Sequence, residues 1–335
     1  MDNGTKNSVV AQKYAKVELH LHLDGSVSLD SAKQLASLCQ IELGSDEEIL
    51  EKLTVGDGCK DLNEYLEKFA FPCSLLQNSE CIELAVRNLL CELTKMGILY
   101  SEIRFATQKH TENGLSQEEA VRAAIDGVNK SSAHASLILC CMSGDCNRKE
   151  NLETVRIARK YLGKGVAAID LAGAEALYPT ENFDYVFNLA RELSVPFTIH
   201  AGEACVPDSV YKAVGVGASR IGHGVRSVED ERLLELLSQK NVTLELCPTS
   251  NINNAVFDSF EQYPLRKLMS AGVRVCLNSD NMSVSATDLV KEFEKMIRVF
   301  GLDENELKIL AENAVDASFA SEDIKQKIKN ELKSV

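Results

Sequence analysis

The sequence predicts an α/β fold: a (β/α)8 barrel of the TIM type, with a helical insertion after its first strand. Three observations point there. Eight short apolar runs rich in β-branched residues alternate with amphipathic stretches, the mark of βα units around a parallel sheet. The first two runs are separated by residues 23–97, which are patterned as helices. At 335 residues the chain exceeds the ~150 residues of a typical domain, yet α/β barrels hold ~250 or more in one unit. A single domain over residues 1–335 is therefore expected, its insertion covering roughly 30–97. An open doubly wound sheet is the alternative, but no G-x-G-x-x-G follows an early run.

The runs lie at 16–22, 98–106, 135–142, 166–171, 195–200, 220–223, 242–246 and 273–278. After the first, helical patterning covers 30–40, 46–53, 61–71 and 79–96. In the last of these, Ile82, Val86, Leu89, Leu90 and Leu93 share a face, and Gly97 is placed to stop the helix. Ser116 and Glu119 form a capping box for the next helix. Segments 229–240, 263–271 and 287–300 continue the alternation. The chain has no solenoid repeat, low-complexity tract or Pro- and Gly-rich linker.

Composition narrows the function. With 36 basic and 50 acidic residues the net charge is −14, and no basic patch interrupts it. Such a chain repels nucleic-acid phosphates and anionic membranes. No apolar run approaches the ~20 residues of a membrane helix. The polar start, MDNGTKNSVVAQKY, lacks the apolar stretch of a signal peptide. Eleven cysteines without a CxxC pair read as buried, reduced thiols, and a cytoplasmic setting is expected.

Four of the six histidines end predicted strands. His20 and His22 form H-L-H, and a spacing of two turns both side chains to one face of a strand. His200 ends the fifth run, His223 the sixth, and Asp280 the eighth. Each alone has an ordinary explanation, such as a bond to a loop carbonyl or an Asx turn. In a barrel, however, all of them gather at the C-terminal mouth, where such folds place their chemistry. Three imidazoles and a carboxylate suit a zinc site with one position open to water. Glu203, three residues past His200, is either a solvated loop acid or a proton donor beside the metal. His110 and His134 lack partnered acids and read as structural or exposed.

Six motifs in this order resemble the adenosine deaminase family of metal-dependent barrels. They are KVELHLHLDGS (16–26), AIDLAGAE (168–175), TIHAGEA (198–204), RIGHGV (220–225), LELCPTSN (244–251) and LNSDN (277–281). The likeness runs on to ENAVDASF at 312–319, nearly the whole chain. The H-x-E…P-C-x-x-C pattern of the cytidine-type deaminases is absent.

The resemblance implies roles. His20, His22, His200 and Asp280 would hold one Zn2+ per chain. Glu203 would protonate purine N1, and His223 would orient or deprotonate the attacking water. The Gly173 N–H would meet N3, Asp24 the ribose hydroxyl, and His22 would also border the substrate. Leu62, Tyr65, Leu66 and Phe69, from DLNEYLEKF, would form an apolar lid or simply pack a core. Binuclear relatives carry a lysine on the fourth strand; VAAIDLAG has none, which implies one metal. Asn281 departs from the second aspartate that many members direct at N7, and it bears on substrate identity more than on reaction type.

The expected activity is hydrolytic deamination of adenosine and 2′-deoxyadenosine to inosine and deoxyinosine plus ammonia, a purine-salvage reaction. A deaminase of free adenine or another 6-aminopurine is the alternative, and a non-catalytic purine-binding protein a third. The expected partner is a small purine nucleoside, with neither nucleic acid nor membrane.

Overall fold

The eight runs become eight parallel strands in the computed structural model, which describes residues 3–56 and 59–334. They are β1 (Val17–His22), β2 (Tyr100–Phe105), β3 (His134–Met142), β4 (Val166–Ala172), β5 (His200–Ala201), β6 (Arg220–His223), β7 (Thr243–Leu246) and β8 (Arg274–Leu277). β1 to β4 pair in order, as do β5 to β8. Two isolated bridges join the halves, Ile169 with Phe197 and Leu21 with Asp280. At the second, His22 N–H donates to Asp280 O and Asp280 N–H to His20 O, both at 2.8 Å, so the eighth strand closes on the first. The run at 195–200 yields little regular strand because Pro196 has no N–H to offer the ladder.

Among the described residues the chain starts with α1 (Asn3–Tyr14), which packs on the C-terminal helices and was not foreseen from its polar sequence. The insertion holds α2 (Leu29–Cys39), α3 (Asp46–Leu53), α4 (Leu62–Leu66), α5 (Ala70–Leu75) and α6 (Ser79–Met96). The segment expected as one helix at 61–71 is broken by a 3-10 turn at Glu67–Phe69, and helix resumes with Pro72 in the first turn of α5, where proline is tolerated. Gly97, at φ +83°, ends α6 as expected.

Around the barrel follow α7 (Gln117–Asn129), α8 (Arg148–Tyr161), α9 (Asp184–Glu192), α10 (Asp208–Gly215), α11 (Glu231–Gln239), α12 (Pro248–Asn253), α13 (Leu265–Ser270) and α14 (Leu289–Phe300). Both halves of the Ser116–Glu119 capping box form. α15 (Glu304–Ala317) and α16 (Glu322–Ser334) complete the described chain. Their junction meets the barrel floor: Phe319 N–H donates to Glu102 at 2.6 Å, and Arg220 donates to Ala317 O at 3.0 Å.

The lumen is charged. On β1, Leu19 and Leu21 join the apolar core, while Glu18, His20 and His22 occupy the alternate positions that face inward. Glu102, Arg104, Asp170, Arg220 and Glu245 are also fully buried there, where such barrels more often stack aliphatic layers.

Candidate active site

His20, His22, His200 and Asp280 converge at the C-terminal mouth, one potential ligand atom from each lying within 4.8 Å of the others. His22 Nε2 stands 3.3 Å from His200 Nε2 and 3.4 Å from Asp280 Oδ1, and His20 Nε2 is also 3.4 Å from Asp280 Oδ1. A tetrahedral shell with bonds of ~2.0–2.1 Å has edges of roughly 3.3–3.4 Å, so these separations fit one small divalent cation. His20 Nε2 is buried without a hydrogen-bond partner, as an atom reserved for a metal would be. Cys247 forms a second possible group with His20, His223 and Asp280, but burial pushes its thiol well above the usual range and keeps it a poor ligand.

Backbone geometry aims two of these groups. Asp280 and His223 adopt φ of +61° and +60°, a left-handed conformation that costs a non-glycine residue about 1–2 kcal/mol. Each sits where its strand ends and the chain turns back over the mouth. Gly222 leaves space for a ligand: a Cβ there would lie 2.8 Å from His20 Cε1.

Buried acids stand behind two of the rings. Glu245 Oε2 lies 2.8 Å from His20 Nδ1, and Asp170 Oδ2 2.9 Å from His200 Nδ1. At His20 the Nδ1–H is thereby directed at a carboxylate and the Nε2 lone pair at the centre; at His200 the carboxylate stands beside Nδ1 at ion-pair distance. Burial alone would raise both acids. Glu245 is instead held well below the usual range by Arg104 and Arg220, and Asp170 by His200 and Arg104. One guanidinium serves both, since Arg104 donates to Asp170 and to Glu245 at 2.8 Å each and to Leu19 O at 2.6 Å. Arg104→Met is expected to weaken metal binding by about 10–100-fold. It should also destabilise the fold by about 3–5 kcal/mol, since it removes one cationic partner from each of two buried carboxylates. Chelator competition and thermal melting measure the two effects; unaltered metal affinity would remove Arg104 from this role.

Beside this cluster lie Glu203 and His223, with Glu203 Oε2 3.5 Å from His223 Nε2. Burial, then the charge of Asp280, raises the Glu203 carboxyl to about 8. Asn254 Nδ2 donates to its Oε1 at 2.6 Å. The loop beneath is knotted by Glu175, whose carboxylate accepts the N–H groups of Gly202, Glu203, Ala204 and Cys205 at 2.6–3.2 Å. His223 Nδ1 lies 3.0 Å from Asn251 Nδ2, and Tyr263 donates its hydroxyl to Asn251 Oδ1 at 3.2 Å. With Oδ1 so engaged, the amide NH2 faces His223, which must accept at Nδ1 and carry its proton on Nε2.

A cavity of about 640 Å³ opens over these groups. It is lined by His22, His200, Glu203, His223, Asp280, Asp24, Gly173 and Asn281, with Leu62, Tyr65, Leu66 and Phe69 along one side. Every residue expected from the sequence to hold the metal, act in catalysis or meet the substrate thus borders this cavity except His20, which is fully buried behind it. Asp24 is buried with Oδ1 unpartnered, and burial raises its carboxyl to about 6.

The adenosine deaminase family model matches residues 15–335. The chain belongs to the adenosine deaminase family. An adenosine deaminase from Haemophilus ducreyi is 43% identical over 326 residues, covering 94% of each chain. The solved adenine deaminase of Arthrobacter aurescens is 27% identical with a TM-score of 0.86, covering 95% of this chain and 98% of its own. A cog1816 amidohydrolase from Burkholderia ambifaria, solved with bound Zn, shares the fold at 22% identity and a TM-score of 0.87, covering 98% of this chain and 92% of its own. No helix among the described residues is long and apolar enough to cross a membrane.

Three expectations need correction within this family member. His110 does have an acid neighbour: it is fully buried, bonded through Nδ1 to Leu76 O at 3.1 Å, with Nε2 4.0 Å from Asp24. Burial lowers it to about 4, so it stays neutral. The cysteines are free thiols, as expected, but they are not all buried: Cys91 and Cys146 are exposed, while Cys73 and Cys140 line the cavity, with Cys73 Sγ 3.8 Å from Asp24 Oδ2. Tyr65 is not merely apolar, because its hydroxyl is buried and hydrogen-bonded. The groups missed in the sequence, Arg104, Asp170, Glu175, Glu245, Asn251 and Asn254, mostly sit inside quoted motifs, where only their order along the chain was legible.

Proposed function

We propose that this chain hydrolyses adenosine and 2′-deoxyadenosine to inosine and deoxyinosine with release of ammonia, using one zinc ion. The observation that carries the reading is the buried Glu203 carboxyl on the rim of the 640 Å³ cavity, beside three imidazoles and a carboxylate spaced for one cation. The adenosine deaminase named in Haemophilus ducreyi supports the substrate.

Zinc held by His20, His22, His200 and Asp280 would supply Lewis acidity that brings the pKa of a water towards ~7. The chain's own residues do the rest. Glu203 hands its proton to N1 as C6 becomes tetrahedral, so the ring nitrogen does not build up negative charge. His223, with its proton on Nε2, is placed to donate rather than to take a proton, which favours the orienting role of the two expected. Gly173, Asp24 and Asn281 would fix N3, the ribose and N7.

The adenine deaminase among the similar structures keeps the free base as a second reading. Buried Asp24, with an acceptor oxygen to spare, favours a substrate that brings a sugar hydroxyl. An ultraviolet assay of adenosine against adenine decides: faster turnover of adenine would overturn the nucleoside assignment.

Asn281 gives a sharper test. It is buried, lines the cavity and has an unpartnered side-chain oxygen. Its amide can donate to the N7 acceptor at any working pH. Asn281→Leu should reduce kcat/KM for adenosine by the ~1–3 kcal/mol of an unsatisfied buried acceptor. Wild type should discriminate against 7-deazaadenosine more strongly than the variant does. Equal ratios in both proteins would show that Asn281 does not touch N7.

A further inference from the structure

Helix α4 has only five residues, too few to hold itself by backbone bonds. Leu62, Tyr65, Leu66 and Phe69 line the cavity, and of these Tyr65 alone is fully buried, at 1% exposure. Its hydroxyl reaches across to the loop after β8, 2.7 Å from Ser285 Oγ. Ser285 N–H in turn bonds Asn281 O at 2.9 Å, so the phenol is anchored on the turn that starts at Asn281.

The same loop is gripped from both sides. From the insertion, Thr54 Oγ1 donates to Ser283 O at 3.0 Å and Val55 N–H to Val284 O at 2.9 Å. From the turn after β1, Gly25 O accepts the N–H groups of Ser283 and Val284 at 3.1 and 3.2 Å, and Ser26 Oγ accepts that of Met282 at 3.1 Å. Gly25 packs so closely that a Cβ there would overlap Asn281 Oδ1. The Asn281 and Ser250 side chains face the Tyr65 hydroxyl as well.

We infer that Tyr65 is a positioning residue for the substrate: its hydroxyl latches α4 to the Ser285 turn, so the cavity's cover and the Asn281 segment beneath it are set as one unit. An apolar cover needs no hydroxyl, and phenylalanine would fill the same volume. A buried tyrosine hydroxyl needs a hydrogen-bond partner, and Ser285 supplies it. The latch acts through Leu62, Leu66, Phe69 and Asn281, and the choice of adenosine as its test substrate rests on the function proposed above.

Y65F and S285A remove the two halves of the bond, and the double variant closes the cycle. Steady-state kinetics with adenosine, together with calorimetric binding of inosine, read the effect. Each single variant is expected to raise KM and the inosine Kd by about 3–10-fold, with most of the loss in KM rather than kcat. The double variant should be no worse than Y65F. A mere loss of stability would lower the melting temperature without this split, and S285A repeats the test should Y65F fail to fold. Unchanged KM and Kd in both single variants, or effects that multiply in the double, would overturn the latch. A wild type that binds inosine more tightly than Y65F yet leaves adenosine intact would overturn the deaminase reading and spare the latch.

Discussion

Glu203→Gln is expected to lower kcat by about 10²–10⁴-fold while leaving purine binding nearly intact. The amide keeps the shape of the acid and can still meet Asn254, whose Nδ2 bonds Glu203 Oε1 at 2.6 Å, but it has no proton to give N1. Inosine binding by calorimetry and adenosine turnover by absorbance separate the two effects. The pH profile follows from the same group. Burial raises Glu203 to about 8, and the protonated form is the competent acid, so activity should fall as pH rises through that value. The variant should lose this alkaline limb. Near-normal kcat in Glu203→Gln would remove the residue from its proposed role.

The mouth of the barrel was legible because its key residues obey simple spatial rules. H-L-H must present both rings to one side of a strand, and His200 in the two-residue β5, His223 at the end of β6 and Asp280 three residues past β8 all lie where a parallel barrel opens at one rim. What stands behind them was not. Arg104 meets Asp170 across 66 residues of sequence and Glu245 across 141, and each, alone in an apolar strand, looks like any polar interruption. Parallel strands buried on both faces give no alternation that marks a charge as pointing inward. His110 is structural, as expected, but its acid neighbour Asp24 is not legible because it comes from another strand's turn. The sequence of α1 has little amphipathic signal; Ala11, its fully buried side chain, is too small to make one.

Asp280→Asn should abolish metal-dependent activity without unfolding the chain, a cleaner outcome than alanine would give. Asp280 sits at φ +61°, which asparagine accepts and alanine resists, so Asn keeps the backbone turn and removes only the charge. That charge faces His20 and His22 at 3.4 Å each and His223 at 4.0 Å. Metal analysis of the wild type should give one ion per chain; two would sink the mononuclear assignment. Added zinc should stabilise wild type against heat, by about 4 kcal/mol at a free concentration a thousand times the Kd. In Asp280→Asn that increment should largely vanish, while the metal-free melting temperatures of the two proteins stay close. If zinc stabilised both proteins equally, the ion would bind elsewhere. The four residues would then be a polar cluster that only resembles a metal site, and His20 Nε2, buried and unpartnered, would need another explanation.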